Sequence, residues 1–166
     1  MMLGMSFSTF TMVHVIISLI GIASGIIVLF GMLEGRKSDG WTALFLVTTV
    51  LTSVTGFLFP FSGLLPSHVV GIISLVVLAA ALAALYGFQL SGAWRWIYVI
   101  AAVLALYLNV FVGVVQAFRK VGFLQSLAPT ESELPFVVAQ TLVLAAFAVL
   151  GYLAIKRFHP EARALV

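Results

Sequence analysis

Ser8-Thr9-Phe10-Thr11-Met12-Val13-His14-Val15-Ile16-Ile17-Ser18-Leu19-Ile20-Gly21-Ile22-Ala23-Ser24-Gly25-Ile26-Ile27-Val28-Leu29-Phe30-Gly31-Met32-Leu33 carries one ionisable side chain, His14, in a run otherwise made of apolar, small and hydroxyl residues. As a helix rising ~1.5 Å per residue, such a run reaches roughly 39 Å. That exceeds the ~30 Å of hydrocarbon in a bilayer. The run does not alternate apolar with polar residues, as a barrel strand would. In lipid an unpaired backbone N–H or C=O costs several kcal/mol, so a continuous apolar run of this kind must close its hydrogen bonds internally as a helix. The segment Glu34-Gly35-Arg36-Lys37-Ser38-Asp39-Gly40 ends it.

Four more apolar runs follow, and together they predict an all-α polytopic transmembrane bundle of five helices. The expected spans are residues 8–33, 41–59, 68–90, 93–118 and 135–155, in one domain covering residues 1–166. Composition agrees: 63% of residues are hydrophobic and 8% charged, against roughly 25% charged in a soluble domain. The chain has no cysteine, which excludes disulfides, thiolate metal sites and thiol catalysis. The first run has no basic segment before it, so it reads as a retained helix and not a cleaved signal. The loops carry the helix punctuation. Asp39 is expected to cap the second helix, Pro60 to stop it, and Ser67 to cap the third. Ser91-Gly92 should break the third from the fourth. Thr130-Glu131-Ser132-Glu133 has the form of a capping box before Pro135, and residues 121–127 suit a short interfacial helix.

Basic residues orient the bundle. Arg36, Lys37, Arg95, Lys156, Arg157 and Arg163 fall in loops on one side, and only Arg119 and Lys120 on the other. The positive-inside rule then predicts an outside amino terminus and a cytoplasmic carboxyl terminus. Trp41, Trp94 and Trp96 fall at the same, inner interface. The net charge of +3 is topological information, because no basic cluster exceeds two adjacent residues and nucleic acid is not an expected partner.

An ionisable group inside a span is a functional candidate by default. His14 and His68 are the two, both expected near the outer face. Thr52 near the end of the second helix, Asn109 and Gln116 in the outer half of the fourth, and Gln140 early in the fifth follow the same trend. His14, Ser18, Gly21 and Gly25 recur at helical spacing, as do Ala102, Ala105, Asn109, Gly113 and Gln116. Such stripes face other helices. The expected ligand-binding set is therefore His14, Thr52, His68, Asn109, Gln116 and Gln140, around an outward-facing polar pocket. Each has a plainer reading beside it. Gly21 and Gly25 suit helix packing, Thr and Ser suit bonds to their own backbone, and Asn and Gln suit interhelical hydrogen bonds.

Three classes of function compete. A binding or structural subunit, holding a lipophilic or small ligand or a partner helix, asks least of the sequence. A channel or transporter for a small solute or proton would use the pocket as an entry, yet the inner half shows no matching polar path and no span has a mid-helix proline break. A b-type haem or other metal site would use His14 and His68 as ligands, with the glycine stripe clearing room for a flat macrocycle. The axial nitrogens would have to lie roughly 4 Å apart. No Ser–His–Asp set, paired intramembrane carboxylates or metalloprotease motif speaks for an enzyme. The expected surroundings are a lipid bilayer, with a homo-oligomer or partner membrane subunit.

The stretches Phe59-Pro60-Phe61 with Pro66-Ser67-His68, Leu106-Tyr107-Leu108-Asn109-Val110-Phe111-Val112 with Gln116-Ala117-Phe118, and Ala128-Pro129-Thr130 before Pro135-Phe136 resemble a group of small uncharacterised bacterial inner-membrane proteins. The resemblance covers the second to fifth helices. It implies a bacterial inner membrane and a fully helical fold, and it brings no activity with it.

Overall fold

The computed structural model describes residues 4, 6–60 and 66–160, and every regular element among them is helical. In chain order these are α1 (Phe7–Leu33), α2 (Asp39–Gly56), α3 (Pro66–Leu82), a π-helical turn (Ala83–Gly87), α4 (Trp94–Lys120), the short α5 (Gly122–Leu127) and α6 (Leu134–Arg157). Four segments are long and apolar enough to cross a membrane: Phe7–Leu33, His68–Gly87, Trp94–Lys120 and Leu134–Arg157. Five were expected, and α2 is the one that falls short. It starts earlier than expected, taking in Asp39 and Gly40, and ends at Gly56, so Leu58 and Phe59 lie outside it. Its hydroxyl residues Thr42, Thr48, Thr49, Thr52, Ser53 and Thr55 lower its mean hydropathy further.

Successive long helices run antiparallel, while α1 and α6, which also touch, run parallel. Along α1 and α2, Gly31 approaches Ser38, Gly25 approaches Phe45, Gly21 approaches Thr48 and Thr49, and His14 reaches Thr55. Along α4 and α6, Arg95 reaches the carbonyls of Ile155 and Phe158, Tyr107 meets Phe147, and Phe118 meets Phe136. The third helix packs on α2 and α4, and α1 also touches α4 and α6. All polarity is thus shared: the starts of α1, α3 and α6 gather at one end with the finishes of α2 and α4. We call this the His14 end. The opposite, Trp end holds Trp41, Trp94 and Trp96 together with Arg36, Lys37, Arg95, Lys156 and Arg157. Arg163 lies outside the described residues.

The apolar core belongs to the Trp half. Met32, Phe45, Leu46, Leu78, Tyr98, Leu106 and Phe158 are all sealed within it. Toward the His14 end burial thins, and the buried side chains there include Phe10, His68 and Phe118. Glycine sets the closest approach. A Cβ on Gly25 would stand 2.6 Å from Leu106 Cδ1 and 2.8 Å from the Phe45 ring, inside any tolerable contact. The outer perimeter is apolar, and α6 buries only Ala154 while Leu134 and Leu142 are 74% and 65% exposed. In water such a face would be untenable. Against acyl chains it costs nothing, because lipid is as apolar as leucine.

Several helix ends differ from expectation for local reasons. Ser38 stands at the N-cap of α2, and Asp39 instead pairs with Lys37 at 2.9 Å. The α-helical part of the third helix stops at Leu82. The chain then widens through the π-turn, where Phe88 N–H reaches Ala83 O and Leu90 N–H reaches Ala84 O, both at 2.9 Å. Gln89 and Leu90 take left-handed backbone (φ 46° and 59°) before Gly92, and Phe88 stacks on Trp94 with ring centroids 3.8 Å apart. The side chain of Ser67, the expected cap of α3, lies outside the described residues. Before α6, Glu133 and not Thr130 occupies the N-cap position. The reciprocal half of the expected box is nevertheless formed, since the Glu133 carboxylate accepts from Thr130 N–H at 3.1 Å and from the Thr130 hydroxyl at 2.7 Å. Arg119 pairs with Glu131, tying the α5–α6 loop to the finish of α4. The short helix expected over residues 121–127 exists as α5, with Phe123 72% exposed.

Two outcomes follow from these contacts. Gly25→Val should lower bundle stability by about 1–3 kcal/mol through overpacking, read by steric-trap unfolding in bicelles. Gly40→Ala, where nothing lies within 4 Å, should not. The Thr130 hydroxyl holds the Glu133 carboxyl below the usual carboxylate range. A carboxyl lowered in the fold stabilises above its unfolded pKa, and that contribution is lost as pH falls through the folded value. Amide protection at the start of α6 should therefore drop on acidification through and below the ordinary glutamate range, measured by hydrogen exchange as protection factors, and Glu133→Gln should abolish that pH dependence.

Candidate functional site at the His14 end

The face of α1 that carries His14, Ser18, Gly21 and Gly25 turns toward α2 and α4. His14 is half-buried, with Nδ1 2.8 Å from Thr55 Oγ1 on α2. Its ring meets Phe59 edge-on at 5.1 Å, and its Cε1 faces Gly56. Phe59 also gathers Phe7 and Phe10, at 5.9 and 5.0 Å.

His68 is buried at the first turns of α3, against the ring of Phe57 at 5.8 Å. Gly71 lets that ring in, since a Cβ there would stand 2.9 Å from Phe57 Cζ. Both imidazoles thus occupy the same end of the bundle. They meet different residues at the finish of α2, His14 the Thr55 hydroxyl and His68 the Phe57 ring. The glycine stripe leaves no room for a macrocycle, because Phe45, Leu106 and Asn109 fill it. Among the described residues no three His, Asp or Glu side chains gather as a metal site.

The remaining expected residues scatter. Asn109 is buried just on the outer side of mid-bundle: its Nδ2 lies beside Gly21 with Thr48 and Thr49, and donates at 3.5 Å to the Ser18 carbonyl. Thr52 donates to its own helix, at the Thr48 carbonyl, 2.9 Å. Gln140 donates through Nε2 to Phe111 O at 3.1 Å and so joins α6 to α4, while its Oε1 is sealed without a partner. Gln116 is exposed on α4 and lines nothing described. The expected ring of six is therefore not one ring. His14 and His68 share an end, Asn109 sits below them, and Thr52, Gln116 and Gln140 act separately.

Three polar arrangements were missed. Thr55, not Thr52, partners His14. A hydroxyl pair, Ser53 Oγ to Ser74 Oγ at 3.1 Å, joins α2 to α3. Thr48 and Thr49 flank the glycine at which Asn109 approaches α1. The short loop between α1 and α2 held the clue to the first, because an antiparallel register drawn from it sets Thr55 opposite His14. Most hydroxyls bond their own helix four residues back, including Ser18 to His14 O, Ser24 to Ile20 O and Thr49 to Phe45 O. That is the ordinary way a hydroxyl is satisfied inside a membrane helix.

Comparison with protein-family models, with curated proteins and with solved structures finds no match for this chain.

The two amides should respond differently to removal. Interhelical hydrogen bonds in membrane proteins average ~0.6 kcal/mol, and the sealed Oε1 of Gln140 counts against its own bond. Gln140→Leu should thus cost less than about 1 kcal/mol in steric-trap unfolding. Asn109→Leu places a branched side chain against Gly21 and should cost about 1–3 kcal/mol.

Proposed function

We propose that this chain is a five-pass protein of a bacterial inner membrane, amino terminus outside and carboxyl terminus cytoplasmic, acting as a binding or structural subunit. Its outer end would receive a lipophilic or small ligand. The observation that carries this is the uneven core: large side chains fill the Trp half, while burial thins at the end where both imidazoles lie. An apolar recess with a few polar groups suits a lipophilic guest. The packed Trp half speaks against a continuous polar path, so transport is not favoured, and the filled glycine stripe disfavours haem.

The fifth pass is α2. Its antiparallel contacts accompany α1 from Gly31 to His14, and its 18 residues cover about 27 Å, close to the ~30 Å core of a bilayer. The basic residues and tryptophans at the opposite end support the orientation. The resemblance to small bacterial inner-membrane proteins supports the compartment.

The absence of cysteine gives a clean background for labelling. In intact cells a membrane-impermeant maleimide should label Ser6→Cys and Ser126→Cys, but Arg36→Cys and Gly92→Cys only after permeabilisation. If Arg36→Cys and Gly92→Cys react from opposite sides, α2 does not cross. For the ligand, a photoreactive alkyl diazirine at low occupancy should mark residues 7–14 and 55–59 saturably. Unsaturable labelling spread along α6 would remove the outer site.

A further inference from the structure

We infer that His14 is held as the Nδ1–H tautomer and presents its bare Nε2 as the hydrogen-bond acceptor of the outer site, for a lipophilic ligand carrying a neutral hydroxyl. This rests on the outer end being a binding site.

The tautomer follows from proton bookkeeping at Thr55. A hydroxyl has one proton to give and lone pairs to receive. Thr55 Oγ1 stands 2.6 Å from the Leu51 carbonyl oxygen. A carbonyl only accepts, so two oxygens at that distance attract only with the Thr55 proton between them. The same Oγ1 lies 2.8 Å from His14 Nδ1. Its proton being committed, Thr55 can offer that nitrogen only a lone pair, and Nδ1 must be the donor. An uncharged imidazole protonated at Nδ1 has an unprotonated Nε2. The helix thus fixes which nitrogen is bare: Thr55 bonds its own backbone, and that bond orients the neighbour's ring.

Nε2 is bonded to no group among the described residues, and the ring carrying it is half-buried. Its surroundings select the guest. The rings of Phe59, Phe7 and Phe10 make the near wall apolar. A bare acceptor beside an apolar wall suits a neutral O–H, as on a phenol or quinol ring bearing an alkyl chain.

Protein labelled with nitrogen-15 at histidine, in lipid nanodiscs, tests this by NMR, with His14→Phe identifying the His14 signals against those of His68 and His159. We expect a protonated-type signal at Nδ1 and a bare-type signal at Nε2. Adding para-octylphenol should move the bare signal toward the protonated range, while its methyl ether, para-octylanisole, should not. Thr55→Val should mix the tautomers and Thr55→Ser should restore the single one. His14→Phe should weaken octylphenol binding roughly five-fold, the worth of one hydrogen bond. A bare Nδ1, or a ring with both nitrogens protonated, overturns the tautomer. Equal shifts from phenol and ether overturn the acceptor role and leave an apolar recess. No shift from either, with the tautomer as expected, overturns the ligand and the outer binding site together.

Discussion

Two absent side chains hold this bundle together. At Gly21 and Gly25 the backbone of α1 lies bare, and Phe45 from α2, Leu106 from α4 and the amide of Asn109 close onto it. In lipid there is no hydrophobic reward for bringing helices together, so attraction must come from dispersion at short range and from interhelical polar bonds. Both fall steeply with distance. A methyl group at Gly25 would push α1 away from two neighbours at once, and with it the contacts that position His14 above and the core below.

From that junction the two halves of the molecule diverge. Below it, toward the Trp end, aromatic and branched side chains interdigitate, and Arg95 caps the finish of α6 by donating to the Ile155 and Phe158 carbonyls at 3.1 and 2.7 Å. Those carbonyls have no partner within the helix, and a guanidinium there also complements the helix dipole. Above it, the space between helices is set by rings and hydroxyls, with His14 on Thr55 and Phe59, His68 on Phe57, and Ser53 on Ser74. One half is built to stay closed. The other holds polar atoms whose bonding capacity is incompletely used, as Gln140 Oε1 shows.

Polar residues in the spans divide by the length of their side chains. Serine and threonine are short enough to fold back on the carbonyl one turn earlier, and most hydroxyls here do so, while Ser53 also reaches Ser74. Asn109 and Gln140 are long enough to cross to another helix, and they do. The imidazole of His14 has two nitrogens that point in well-separated directions in the ring plane, so a single neighbouring hydroxyl engages only one of them. This is why histidine, and not the amides, is the residue left with chemistry to offer.

Hydropathy alone determined that the chain is helical and built for lipid, because the cost of an unpaired peptide group in hydrocarbon leaves no other solution for runs such as 8–33. It also placed His14 and His68 at one end, since alternating spans return each loop to a known side. It overrated α2, whose hydroxyls and early start leave it less apolar than its neighbours, and it grouped Thr52, Asn109, Gln116 and Gln140 as one lining. Those assignments needed rotation and depth. Which face of a helix looks inward, which of two threonines four or fewer residues apart meets an imidazole, and which residue at the finish of α2 each histidine meets are decided by how closely helices approach, and that distance is a property of packed side chains from segments far apart in the chain.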